Sequence, residues 1–350
     1  EGVLTIDTKN TRSAKIDALT NNGSYQDRKN DYFYDCPIEL LYLGRDLKYD
    51  YSDNSYIYDL VNGNWKQESR ASAPFVNSTT LEEVQIGPKV TFVYNHLCDD
   101  CDKLTSVLFP VGIQTIGGYA FKGCDKLASI TFEESSDHSL SIETAAFKSC
   151  VALEDITYPG QLSVLGSSAY QGCENLKSVI FNKNEQYQPA LSIGDYTFAK
   201  CPLITELSFP GRLTSIGSFT FASCISLSNV SFEDSNTAVK LGNGASSLEN
   251  SLKYDEKLPL FGNSNLTSLY IGRNIDYETV EAKGYSPFYK QQFLTDIRFS
   301  QAGTVTYCKD YLLYKVNNCE SLILPESLTS IGNWTFRGMS KLGRIVIPNA

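Results

Sequence analysis

Apolar residues along the middle of the chain fall on one short pattern that returns every 23 to 28 residues. An aromatic is followed three residues later by cysteine, three further on by leucine or isoleucine, then by a Val, Ile or Leu, and two after that by another aromatic. Phe121, Phe147, Tyr170, Phe198 and Phe221 open these units. Cys124, Cys150, Cys173, Cys201 and Cys224 follow, and Phe132, Tyr158, Phe181, Phe209 and Phe232 close them. A shift of one period brings in Cys98, Cys101 and Leu104, with Cys98 in the aromatic's place. Looser copies start at Phe33, Phe75, Phe261, Phe288 and Phe336, giving about ten recognisable turns. A fixed period of this length predicts units that stack, since none can bury its apolar face alone.

The end of each unit alternates apolar and polar, as in Val107 then Phe109 or Ile130 then Phe132, which predicts one short strand per turn. The Ile-Gly that follows, as in Ile116-Gly117, Ile193-Gly194 and Ile216-Gly217, reads as a second extended piece ending in a glycine-permitted bend. A short helical turn around Tyr119 to Phe121 is expected next. Stacked turns would place strands about 4.8 Å apart with right-handed crossovers. The expected fold is therefore a right-handed curved superhelix, a solenoid with one parallel β-sheet and short helical turns or extended segments on the other side.

Regularly spaced cysteines first suggest metal or disulfide chemistry. Here Cys101, Cys124, Cys150, Cys173, Cys201 and Cys224 share an inward register with the aromatics, where Cys acts as a small polarizable hydrophobe. Ser78, Gln291 and Met339 stand at the same repeat position, a mixture that packing tolerates and a metal site does not. Cys98 and Cys101 form a C-x-x-C, but both fall on core positions and no second pair or histidine pair completes a zinc site. No cofactor or metal is expected.

Thirty basic against forty acidic residues give a net charge of -10, with no basic run to displace counterions from nucleic acid. No apolar stretch reaches the length of a membrane span. The chain opens on Glu1, so any signal peptide is expected to have been removed already. His96 and His138 are the two histidines, and H-E-x-x-H, G-x-S-x-G and P-loop motifs are absent, so the sequence offers no catalytic constellation.

The string L-x-x-V-x-F-P-x-x-x-x-x-I-G-x-x-A-F-x-x-C, seen from Leu104 to Cys124 and, with Thr220 for the alanine, from Ile204 to Cys224, resembles the BspA-like leucine-rich-repeat family. The likeness spans roughly residues 33 to 350. Thr304 to Pro325 is similar to that family's longer spacer unit, in which a hairpin-like segment precedes an ordinary turn. Departures are the long units from 233 to 335 and an insertion at 46 to 74. The resemblance implies a leucine-rich-repeat solenoid and a secreted or cell-surface bacterial binding protein, adhesin-like, whose partner is a host extracellular-matrix or cell-surface protein or a microbial one. Residues 1 to 32 read as a cap or degenerate first turn.

Three regions are candidate partner surfaces. The outward strand positions are mostly Ser and Thr, with Tyr270 and Arg298 as exceptions. Extra residues after alternate strands, carrying Glu133, Asp137 and His138 in one and Tyr187 in the next, should emerge along one edge. The 46 to 74 insertion sets Tyr49, Tyr51, Tyr56 and Tyr58 among Ser, Asn and Asp, a paratope-like composition that would also suit a glycan. A glycan-binding or glycan-processing protein, and a spacer presenting another domain, are the alternative readings.

Overall fold

The computed structural model describes residues 37–49, 74–135, 137–242, 260–261, 265–278 and 286–348, and the backbone of four more strands, Val3–Ile6, Ala14–Ile16, Asn54–Asp59 and Asn64–Ser69. The expected solenoid is present. Each repeat's closing strand, such as Ser106–Phe109, Asp155–Tyr158 and Glu206–Phe209, alternates exposed and buried positions as the sequence pattern requires. Pairing is parallel and in register: Ser106, Val107, Leu108 and Phe109 lie beside Ser129, Ile130, Thr131 and Phe132.

The extended pieces do more than expected. Eight of them, from Phe92–Val93 through Thr115–Ile116, Leu140–Ile142, Leu162–Leu165, Leu191–Ile193, Leu213–Ile216 and Val239–Leu241 to Ile275–Tyr277, form a second parallel sheet. The one expected sheet is thus joined by another, because the repeat holds two extended runs and each finds its copy one turn away.

The expected helical turn is a run of hydrogen-bonded turns, and there is no helix among the described residues. In residues 119 to 123 the alternate N–H groups of Tyr119, Phe121 and Gly123 donate to Thr144, Ala146 and Lys148 of the next turn at 3.0, 2.8 and 2.8 Å. Those of Ala120, Lys122 and Cys124 donate back to residues 117, 119 and 121. Aiming the first set at the neighbour requires left-handed backbone two residues before and two after the core aromatic: Tyr119 and Gly123, Ala145 and Ser149, Tyr196 and Lys200, Phe219 and Ser223. A non-glycine residue there costs about 1–2 kcal/mol, which the inter-turn hydrogen bonds and the buried aromatic between them offset.

Inside, two aromatic columns run the length of the stack. Phe121, Phe147, Tyr170, Phe198, Phe221, Phe261 and Phe288 stack successively with ring centroids 5.1 to 6.3 Å apart. Phe109, Phe132, Tyr158, Phe181, Phe209 and Phe232 form the other column.

The cysteines sit on the expected core positions, and the nine that are described are free and buried. They also have a polar task the spacing did not reveal. Six of the thiols donate to the carbonyl of the preceding turn's aromatic position: Cys101 to Phe75, Cys124 to Cys98, Cys150 to Phe121, Cys173 to Phe147, Cys201 to Tyr170 and Cys224 to Phe198, at 3.0 to 3.2 Å. Gln291 does the same with its amide, donating to Phe261 at 2.8 Å. At Phe75, Cys98, Phe121, Phe147 and Tyr170 the carbonyl also accepts from the N–H three residues on, and the thiol is its second partner.

The glycine after each second strand has a different cause from the bend first assigned to it. Gly117, Gly194 and Gly217 lack left-handed φ, and each donates to the turn before at 2.7 to 2.8 Å. A Cβ on Gly217 would lie 2.5 Å from the Asp195 backbone nitrogen, and one on Gly194 would lie 2.6 Å from that of Ser167.

Thr304 to Pro325 also departs from the spacer-like hairpin expected of it. Tyr307–Cys308 pairs parallel with Ser330–Ile331, and Ser321–Ile323 pairs parallel with Arg344–Val346, so the stretch is an ordinary turn with Leu313 and Val316 in the aromatic and cysteine places. The described strands contain one antiparallel pair, Asn54–Asp59 with Asn64–Ser69, inside the 46 to 74 insertion.

Two outcomes follow. Gly217→Ala should destabilise by ~1–3 kcal/mol through overpacking against a backbone that cannot retreat, and denaturant titration would detect it; an unchanged midpoint would refute the close-approach argument. Burial pushes the Cys173 and Cys224 thiols up to about 12 from an ordinary 9.0. Their contribution to stability is therefore full below pH 9 and is lost as pH rises from there toward 12, about 1.4 kcal/mol per thiol per pH unit. Native protein should resist thiol reagents, and the unfolding midpoint should fall faster above pH 9 than in a Cys173→Ala/Cys224→Ala variant.

Candidate functional site on the outer turn face

A left-handed residue stands two places before most core aromatics, and where its side chain is large it reaches the outer turn face, as at Tyr119 and Trp334. This row runs His96, Tyr119, Ala145, Ser168, Tyr196, Phe219 and, beyond the 243 to 258 segment, Tyr311 and Trp334. Neighbours in the row stack: His96 on Tyr119 with centroids 4.8 Å apart, Tyr196 on Phe219 at 5.0 Å.

Toward the last turns the row thickens into a cluster. Tyr311 lies 5.8 Å from Trp334 and 5.5 Å from Tyr314, which is in turn 6.1 Å from Trp334 and 5.5 Å from Tyr289. Trp334 is 45% exposed, in the outward place that Tyr119 holds within the stack. Cations ride on these rings. The Arg337 guanidinium is 3.6 Å from the centre of Trp334, Lys315 Nζ is 5.2 Å from Tyr314 and 5.9 Å from Tyr289, and Lys290 Nζ is 5.2 Å from Tyr289.

The same face near Cys98 shows the contrast. There Lys122 Nζ reaches Asp99 at 3.0 Å and Asp100 at 3.6 Å, and His96 Nδ1 reaches Asp99 at 2.8 Å, so opposite charges meet locally. The shallow groove beside the His96–Tyr119 pair is lined by Asn95, Ser141, Glu143, Thr144 and Val164, polar and apolar surface in equal measure. At the far cluster no carboxylate lies within ion-pair distance of Lys290, Lys315 or Arg337 among the described residues. The nearby acids are engaged: Asp276 with the Tyr307 hydroxyl at 2.9 Å and Lys309 at 3.7 Å, Asp310 with the Asn333 backbone N–H at 2.6 Å.

The residues singled out from the sequence are placed elsewhere. Tyr270 and Arg298 are adjacent in register on the outer strand face. The Tyr270 hydroxyl donates to Asp234 at 2.7 Å, Arg298 pairs with Asp296 at 3.1 Å, and burial followed by the Asp234 contact raises the Tyr270 pKa. Several strands away on the same face, Leu108 and Ile180 stand half-exposed among Ser and Thr.

The edge insertions do come together. Asn184 Nδ2 donates to the Ser135 carbonyl at 2.9 Å, Asn182 Nδ2 reaches Glu134 at 3.4 Å, and Lys183 pairs with Glu233 at 3.0 Å. Their polar groups are largely consumed in holding the edge. Glu133 accepts from the Val111 N–H at 2.8 Å and Glu233 from that of Gly211 at 3.1 Å. The exposed Asp137 carboxyl is held below its ordinary range by the Ser135 hydroxyl and by His138 at 2.7 Å. The Tyr187 N–H donates to Asn184 at 3.3 Å. Arg273, missed from the sequence, is buried behind this edge and donates to the carbonyls of Glu233, Leu213 and Pro210 at 3.0, 2.6 and 3.2 Å. Desolvation lowers its pKa despite Glu233 nearby.

Tyr49 ends the strand Leu47–Tyr49, and Tyr56 and Tyr58 belong to the first strand of the hairpin, Tyr58 opposite Trp65. Tyr51 and the side chains of the other three lie outside the described residues. The aromatic cluster had a legible signal, an aromatic two residues before the core ring in Tyr196-Thr197-Phe198, Phe219-Thr220-Phe221 and Trp334-Thr335-Phe336, but only left-handed backbone turns it outward.

No curated protein matches the chain. Among solved structures it is similar to a leucine-rich repeat protein of Bacteroides ovatus, with 20% identity and a TM-score of 0.35 over 83% of this chain and 92% of that one. It is likewise similar to the Treponema pallidum leucine-rich repeat protein, with 22% identity and a TM-score of 0.34 over 44% and 67%. A leucine-rich cell surface protein of Faecalibacterium prausnitzii matches with 15% identity and a TM-score of 0.37 over 100% and 88%. The family model described as BspA type leucine-rich repeat region matches residues 91–191, 191–253 and 259–350, most of the solenoid just described. With its repeating Phe-x-x-Cys turns inside that span, the chain belongs to the BspA type leucine-rich repeat family.

Proposed function

We propose that this chain is a non-catalytic cell-surface binding module and that it recognises a protein partner, host or microbial, through the outer face built by Tyr289, Tyr311, Tyr314, Trp334 and Arg337. The observation that carries this reading is the concentration of Trp, Tyr and Arg on one rigid surface, the residue types that dominate binding energy in protein interfaces. Stacking across turns holds these rings before a partner arrives, which lowers the ordering cost of association. Family membership supports a binding scaffold as the general role. The other surfaces favour it less: the strand face presents short hydroxyl side chains, and the insertion edge spends its polar groups on itself.

The test is a binding screen of the purified chain against extracellular-matrix, host-surface and bacterial-surface proteins, repeated with Trp334→Ala and Tyr311→Ala. Each should weaken the partner found by ~30-fold or more, the loss of a hot-spot residue, with the thermal midpoint little changed. Thr131→Ala on the strand face should bind normally. Binding that survives both aromatic substitutions but disappears when residues 183 to 188 are shortened would move the site to the insertion edge and overturn this assignment.

A further inference from the structure

We infer that the segment bound at this face is an acidic stretch of polypeptide, its carboxylates received by Lys290, Lys315 and Arg337. The inference rests on the binding face proposed above and adds the chemistry of its partner. The chain as a whole carries a net charge of -10, so its surface repels an acidic ligand nearly everywhere. The outer face around Trp334 gathers positive charge against that background. Two lysines share the Tyr289 ring, at 5.2 and 5.9 Å, and one arginine lies flat on Trp334 at 3.6 Å.

Several outward cations elsewhere do meet a carboxylate: Lys177 meets Glu154 at 2.8 Å, Lys103 meets Glu82 at 3.6 Å, and Lys122 meets Asp99 at 3.0 Å. Lys290, Lys315 and Arg337 have none among the described residues, while Asp276 and Asp310 are engaged by Tyr307, Lys309 and Asn333. Glu278 is exposed at the edge of the same region and adds one negative charge beside it. Like charges brought together on one face raise its potential, and ring contacts orient them without neutralising them. Arg337 can receive a carboxylate in two parallel hydrogen bonds, and Lys290 and Lys315 act as point charges beside it. A polypeptide is favoured over an anionic polysaccharide because the rings that a sugar would stack on already carry these cations on a face.

The experiment uses the full chain and a fluorescein-labelled peptide of about fifteen residues rich in Glu and Asp, followed by anisotropy across a salt series; such exposed charges act over a Debye length of roughly 8 Å at physiological salt. Lys290→Met, Lys315→Met and Arg337→Met should each weaken binding by ~3- to 10-fold and the triple variant should abolish it. Lys177→Met, on a cation already paired, should leave it unchanged. With Trp65 replaced by Phe, iodide should quench Trp334 more efficiently than caesium, and the difference should vanish in the triple variant. Peptide binding that is insensitive to salt or to the triple variant, binding of polygalacturonate in place of the peptide, or equal quenching by the two ions would overturn the inference. A protein partner lost in Trp334→Ala but retained by the triple variant would leave the face standing and remove only its acidic chemistry.

Discussion

Behind each Ile-Gly pair one turn presses against the backbone of the turn before, closer than any side chain allows, and the rest of the molecule depends on that contact. A Cβ at Gly217, Gly194 or Gly242 would fall 2.5 to 2.6 Å from a neighbouring backbone nitrogen, so the glycine N–H can reach the carbonyl of the preceding second-sheet strand at 2.7 Å. This approach fixes the spacing of turns. At that spacing identical residues meet identical residues, and a column of phenylalanines stacks ring on ring with centroids little more than 5 to 6 Å apart. Each buried aromatic is worth roughly 1.5–3 kcal/mol, but only because a neighbour covers it, so stability is a property of adjacent pairs of turns.

The same spacing explains why cysteine suits its place. An aromatic position's carbonyl faces the next turn with one lone pair unused, and the space left beside it, between a phenylalanine and a leucine, admits little more than a sulfur. A thiol fills the space and donates; Gln291 reaches the equivalent carbonyl from a longer stem. The cysteines are therefore packing residues with a hydrogen bond, and the burial that places them there suppresses their reactivity.

The proposed binding face is a by-product of the turn geometry. Left-handed residues are needed so that alternate N–H groups reach the next turn, and where they carry large side chains, as at Tyr119 and Trp334, these reach the outer surface. In the middle of the stack that position holds Ala145 and Ser168, and nothing accumulates there. In the last turns it holds Tyr311 and Trp334, with Tyr289, Tyr314 and three cations alongside, and the rigid repeat converts scattered residues into one patch.

The repeat, the inward register of aromatic, cysteine and leucine, and the parallel strand of each turn were determined by the sequence alone, because a period of 23 to 28 residues with apolar positions at fixed offsets can be buried only by stacking copies. The second sheet was half legible: its extended pieces were visible, but their pairing with one another depends on a spacing that the first sheet sets. The reason for the Ile-Gly pairs lay beyond the sequence, since a glycine demanded by a neighbour's backbone and one demanded by a bend are spelled alike. So did the fate of Glu133 and Asp137, whose carboxylates look free until Glu133 is seen to accept from the Val111 N–H and Asp137 to meet His138. Where Tyr289, Tyr311, Tyr314 and Trp334 would meet was decided only by tertiary structure, because residues 20 to 25 positions apart become neighbours when left-handed turns stack at backbone distance.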